Sequence, residues 1–214
     1  VIEPGPDPAL DVDVDLRPEG KGGPMVRTLG SYRAYYERWS DTWEAQALVR
    51  AGYGAGPEAL VNALLEAVDP IRYPDGGLSR NQRADIRKLK ARMEAERMPR
   101  GVDPKRHLKL GPGGLSDIEW TIQLLQMSHA ARLHGLRTTE TMAALDAARE
   151  AELVTVSQAV ALREAWLLAS EIRNANMLSR AKPSDAIPSD SRERGNVCHL
   201  LALPPGTSAQ LVDD

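Results

Sequence analysis

The chain has 214 residues and a formal net charge of −3, a near-neutral balance that argues against a general nucleic-acid or membrane-surface binder. Apolar residues make up 42% and aromatics 4%, with no Phe, a mixture that favours helices over a β-sandwich. One cysteine, Cys198, excludes a disulfide framework and fits a reducing cytoplasm, and no apolar run approaches the roughly 20 residues that span a bilayer.

The opening "VIEPGPDPAL" is proline-rich and reads as a surface lead-in. Residues 9–17 alternate Leu and Val with Asp, the period of a strand. The Gly- and Pro-dense turn "RPEGKGGP" follows, and 25–29 is expected as a partner strand. From Ser31 the period changes. Tyr32, Tyr35, Tyr36, Trp39 and Trp43 form one helical stripe, predicting a single helix over 31–51 with these rings in the core. Further helices are predicted over 57–68, 80–97, 117–134, 139–151, 157–180 and 191–201, and the end "TSAQLVDD" looks like a helix just begun. The expected fold is mainly α: a helical bundle with a small β remnant of a larger sheet at its N-terminus. The expected domains are 1–29, 30–110 and 111–214.

Three constellations carry chemistry. Alternation across a strand puts Asp11, Asp13, Asp15 and Arg17 on one face. That face is either a solvated outer face or a carboxylate cluster whose repulsion a hard cation such as Mg²⁺ relieves, shared with substrate phosphates. In "KLGPGGLSDIEW" a Gly-rich turn with Lys109 opens onto a helix. Backbone N–H groups there favour an anion, while Ser116 and Glu119 have the spacing of a capping box. Asp117, Glu119 and Gln123 begin a narrow polar line on an otherwise apolar helix, the pattern of a pocket wall. Finally, eleven basic side chains against four acidic ones between Arg80 and Lys109 imply an anionic partner, with nucleotide phosphates the simplest candidate. Part of that run is an ordinary salt-bridged face, with Lys90–Glu94 and Arg92–Glu96 at i,i+4. The four histidines lack metal-ligand spacing, and no nucleophile motif surrounds Cys198.

The order of these parts resembles the glutamine synthetase adenylyltransferase family, bifunctional enzymes that add AMP to glutamine synthetase and remove it. The resemblance rests on "VDVDLRPEGKGGPMVRTLGSYRAYYERWSDTWEAQALVRA", "IRKLKARMEAE" and "HLKLGPGGLSDIEWTIQLLQMSHA", and more loosely on "LREAWLLASEIRNANMLSRAKPSDAIPSD". It implies a parent with two related halves, each a nucleotidyltransferase domain followed by a helical bundle. In that parent AMP passes from ATP, with Mg²⁺, to a tyrosine of glutamine synthetase, and phosphate removes it. Aligned on "LRP", the third metal-binding carboxylate of the family falls on Asp13. Asp15 stands where many relatives have arginine, and no role passes to Asp11. The Gly-Ser-x-x-Asp-x-Asp motif that supplies the other two carboxylates does not occur in the chain, so the resemblance implies a fragment that does not turn over alone. On this reading residues 1–29 are the end of a nucleotidyltransferase domain and 30–110 a helical extension completing the nucleotide site. Arg17, Lys90, Arg92, Lys109, Gly113 and Gly114 are the expected phosphate or substrate contacts. "TWEAQALVRA" favours the adenylylating half. The rival reading is a non-catalytic helical module that binds glutamine synthetase or the PII signal protein.

Overall fold

The computed structural model describes residues 14, 16–204 and 206–207. Eight α-helices form among them: α1 (Leu29–Trp39), α2 (Thr42–Leu48), α3 (Glu58–Arg72), α4 (Arg80–Arg97), α5 (Leu115–His129), α6 (Thr141–Glu150), α7 (Val156–Arg180) and α8 (Ser191–Leu200). The chain divides into two compact units, one ending at Arg72 and one beginning at Tyr73.

The mainly helical expectation holds, but the β remnant is a correction: no strand forms among the described residues, only an isolated bridge between His107 and Ala186. Most of the first expected strand, with Asp11, Asp13 and Asp15, lies outside the described residues. Its end is a turn wrapped around Arg17, whose guanidinium donates to the carbonyls of Val14 (2.7 Å), Gly23 (3.2 Å) and Lys21 (3.5 Å). Carbonyls turned onto a side chain are not offered to a ladder. The second expected strand, 25–29, has Met25 and Val26 exposed, and Leu29 already belongs to α1. Two short strands without a sheet are not a stable unit.

The predicted helix 31–51 is also corrected, into two. Ser40 takes an extended backbone, its Oγ donates to the carbonyl of Tyr36, and Asp41 restarts the chain with a capping box to Glu44. The break turns the aromatic stripe out of register. Tyr36 stays buried, whereas Trp39 and Trp43 are 64% and 41% exposed. Both α1 and α2 pack on α3. Buried Arg72, the last residue of α3, donates to the carbonyls of Leu48 (3.3 Å) and Ala51 (3.1 Å) and so closes the end of α2.

In the second unit the helices follow the predicted bounds more closely. Capping boxes at Ser79–Gln82 and Thr155–Gln158 start α4 and α7. One core joins Ile122 of α5, Ala144 and Leu145 of α6 and Ala159 of α7. Another joins Ile172 and Ala175 of α7, Ile187 of the segment before α8 and Val197 of α8. Helix α7, about 37 Å long at 1.5 Å per residue, supplies side chains to both.

Candidate functional site

The turn that opens α5 is built by its glycines, for a reason internal to the chain. A Cβ at Gly111 would lie 2.1 Å from the carbonyl oxygen of Pro104 and 2.5 Å from that of His107. One at Gly114 would lie 2.7 Å from the Leu108 oxygen. The close backbone approach that the glycines permit is therefore to residues 104–108. Gly113 has open space around it but a φ of +72°, the left-handed region where glycine is least strained.

The N–H groups at the start of α5 are used in the same closure. Gly114 N donates to the carbonyl of Gly111 (2.9 Å), Leu115 N to Leu108 (2.8 Å), Ser116 N to Lys109 (3.0 Å) and Asp117 N to Gly114 (3.0 Å). These are the four donors that a helix N-terminus leaves without an intrahelical partner. The expected Ser116–Glu119 capping box is a correction: Gly114 is the N-cap, and Ser116 is buried in the first turn. The side chain that does tie the turn is Asp117, whose Oδ2 accepts from Gly113 N at 2.7 Å.

Asp117 also brings two of the expected site residues together. Its other oxygen, Oδ1, pairs with Lys90 of α4, which pairs as well with Glu94 one turn on. Burial disfavours the charged ammonium, but its bonds to Asp117 and Glu94 outweigh that, and the Lys90 pKa lies above the usual lysine value. Thus Lys90, Asp117 and Gly113 form one cluster that clamps α4 to the α5 turn. Arg92 and Lys109 are exposed, and neither side chain makes an ion pair among the described residues; the expected Arg92–Glu96 pair is not formed. Glu119 and Gln123 are half-buried on α5. Arg17 lies in the first unit, engaged by the carbonyls of its own turn. Asp13 lies outside the described residues.

Other polar networks were not anticipated. Tyr35 OH donates to Glu44 Oε1 (2.8 Å), and Glu44 Oε2 accepts from Asp41 N (2.9 Å). Burial first, then that hydrogen bond, raises the Tyr35 pKa. The signal was present as Asp-x-x-Glu at 41–44, hidden by reading the helix as continuous. Buried Gln126 continues the polar line of α5 but donates to the carbonyls of Leu136 (2.8 Å) and Thr138 (2.7 Å), fastening a loop. Buried His107 accepts from Leu110 N through Nδ1 (3.0 Å), and Asn176 Nδ2 donates to the carbonyl of Ala186 (3.0 Å).

Among the described residues no three His, Cys, Asp or Glu side chains converge as metal ligands would. No helix among the described residues is long and apolar enough to cross a membrane.

Two family models match the chain. Residues 2–67 match the model described as glutamate-ammonia ligase adenylyltransferase, and residues 82–210 match that described as GlnD PII-uridylyltransferase. The second match takes in α4 through α8 with the clamped α5 turn, and it defines a helical segment of the GlnD PII-uridylyltransferase class.

Relatives sharpen this. The chain is 57% identical over 210 residues to a bifunctional glutamine synthetase adenylyltransferase/adenylyl-removing enzyme of Cutibacterium acnes, covering 98% of this chain and 21% of that protein. It is 53% identical to the enzyme so named in Streptomyces coelicolor and 48% to that in Mycobacterium avium, each over 99% of this chain and 21% of the relative. The chain belongs to the bifunctional glutamine synthetase adenylyltransferase family, and it spans about a fifth of the length of these relatives.

Proposed function

We propose that this chain is part of an enzyme that transfers AMP from ATP to a tyrosine of glutamine synthetase, within the adenylylating half, in a parent that also removes AMP by phosphorolysis and so controls nitrogen assimilation. The observation that carries this is the identity of 48–57%, over 98–99% of the chain, with proteins named for both activities. The compartment is the cytoplasm, and the partners are glutamine synthetase and the PII signal protein.

On this reading residues 1–29 end a nucleotidyltransferase domain, 30–110 extend it, and 111–214 form the following bundle. Asp13 contributes one carboxylate toward Mg²⁺, whose chemistry is to neutralise the nucleotide phosphates. The described residues support different parts for the expected phosphate contacts. Arg92 and Lys109, exposed and unpaired among the described residues, suit direct contact with phosphate. Arg17 and Lys90, engaged by carbonyls and carboxylates, suit holding the turn after Asp13 and the α5 turn in shape. The test is Asp13→Asn in the full-length enzyme, assayed for AMP incorporation into glutamine synthetase. A loss of about 100-fold or more is expected from removing a metal-directed carboxylate. Activity within about tenfold of the parent would sink the assignment.

The match of residues 82–210 to the PII-uridylyltransferase model favours a second reading for residues 73–207, a helical module that docks glutamine synthetase or PII. Surface plasmon resonance of the 214-residue chain against each protein, without ATP, tests it. Saturable binding supports the module, and binding only when ATP is added speaks against it.

A further inference from the structure

Between the loop after α3 and the C-terminal end of α5 lies a cavity of about 390 Å³ whose charged lining is all of one sign. Arg83 of α4, Arg132 just after α5 and His129 line it beside Ser128, and no Asp or Glu does. The Arg132 side chain makes no hydrogen bond or ion pair among the described residues, and neither does His129. Arg83 spends Nε and Nη2 on the single carbonyl of Leu78 (3.1 and 2.6 Å), which fixes the guanidinium and leaves Nη1 available. Gly77, at a φ of +75°, forms part of the wall, because any Cβ there would lie 2.3 Å from the Ser128 carbonyl oxygen.

The end of α5 would ordinarily repel an anion, since a helix presents unpaired carbonyls there. Here the carbonyls of residues 129–131 are covered. Arg137 donates through Nε to Ala130 O (2.9 Å) and through Nη2 to Ala131 O (3.4 Å). The His129 carbonyl accepts from Arg132 N (3.0 Å) and Leu133 N (2.9 Å). The basic residues that line the cavity are Arg83, Arg132 and His129. A fork of guanidinium N–H groups matches the oxygens of a phosphate, and two such groups suit a dianion better than a monoanion. The cavity is several times larger than a phosphate group needs, and Ala131 and Leu133 give it an apolar side.

We propose that this cavity is a binding site for a small phosphate monoester, with Arg132 and Arg83 on the phosphate and the apolar side against the organic group. Nothing in the adenylyl-transfer reading assigns it a role. The test is isothermal titration calorimetry of the 214-residue chain in about 150 mM salt, where diffuse surface attraction is largely screened. The probes are glycerol 2-phosphate, inorganic phosphate and acetate. One-to-one saturable binding is expected, tighter for the ester than for inorganic phosphate and undetectable for acetate. Arg132→Ala, which removes no hydrogen bond or ion pair among the described residues, should weaken the ester at least about tenfold, the loss of one charge-assisted hydrogen bond. Arg83→Ala should weaken it too, and its thermal melt separates lost binding from a loosened Leu78 turn. An absent or non-saturating signal, acetate binding as well as the ester, or an unchanged affinity in Arg132→Ala would each overturn the proposal.

Discussion

Gly111 and Gly113 stand two residues apart in one turn, yet the structure demands different things of them. At Gly111 the constraint is space, because a Cβ would enter two carbonyl oxygens of residues 104 and 107. At Gly113 it is conformation alone, a positive φ with nothing nearby. Gly111→Ala should therefore cost about 3 kcal/mol, the upper range for forced overpacking. Gly113→Ala should cost about 1–2 kcal/mol, the penalty of a left-handed residue. Urea denaturation of the two variants checks the order; equal costs would mean that the 104–108 segment yields easily. Tyr36 gives a second prediction at this scale. Burial, helped by the Glu44 carboxylate, pushes its pKa up to about 12. The unfolded phenol titrates near 10, so the fold prefers the neutral ring. Its contribution is complete below pH 10 and is lost as pH rises from about 10 to about 12, a loss of about 3 kcal/mol at 1.36 per unit. Tyr36→Phe should flatten the fall in unfolding free energy across that window. A residual slope will remain, since Tyr35 and Lys90 are raised as well and lose stability in the same direction.

At the scale of elements, what could be foreseen depended on whether the deciding forces were local. Helices α4, α6, α7 and α8 were legible to within two residues at either end, because apolar period and terminal caps agree there. The expected strand over 25–29 does not form, because a strand needs a partner that alternation alone cannot supply. The kink between α1 and α2 was legible in principle, through Asp41-x-x-Glu44, but the aromatic stripe ran across it and masked it. The site was legible as chemistry and not as wiring. An excess of basic residues from Arg80 to Lys109 and the Lys90–Glu94 pair are plain in the sequence, whereas the other partner of Lys90 is Asp117, on another helix and 27 residues on. The Gly-Gly turn likewise looked like open amides until their acceptors at Leu108, Lys109 and Gly114 were seen. Glu44 shows how much one cap can hold at this scale. It accepts from both Tyr35 OH and Asp41 N while itself buried. Glu44→Ala would strip two donors at once and should destabilise the first unit by about 2 kcal/mol or more. Glu44→Gln, which keeps an acceptor, should cost clearly less, and far-UV melting of the two variants would show whether the cap or the charge matters.

Across the whole molecule, the second unit has a feature that decides how it should unfold. Its two cores share no buried residue, yet both are seated on α7: Ala159 belongs to one, and Ile172 and Ala175 to the other. The second core is also pinned from outside the helices. Leu108 N donates to Asp185 O (2.7 Å), Ile187 N donates to Arg106 O (2.8 Å), and Arg173 pairs with Asp185 at 2.6 Å. A helix interior cannot fray at one end of a core without exposing the side chains it lends, so α7 couples the two clusters mechanically. Leu145, in the first core, and Val197, in the second, are both fully buried. Leu145→Ala should cost about 2–5 kcal/mol, and Val197→Ala less, in proportion to the smaller volume removed. If α7 binds the cores into one cooperative unit, each variant shifts the whole transition of residues 73–207 without splitting it. Hydrogen exchange would then show α5–α6 amides and α8 amides losing protection together in either variant. Protection lost only around the mutated core would show instead that α7 can open in halves, and that the two cores are stabilised independently.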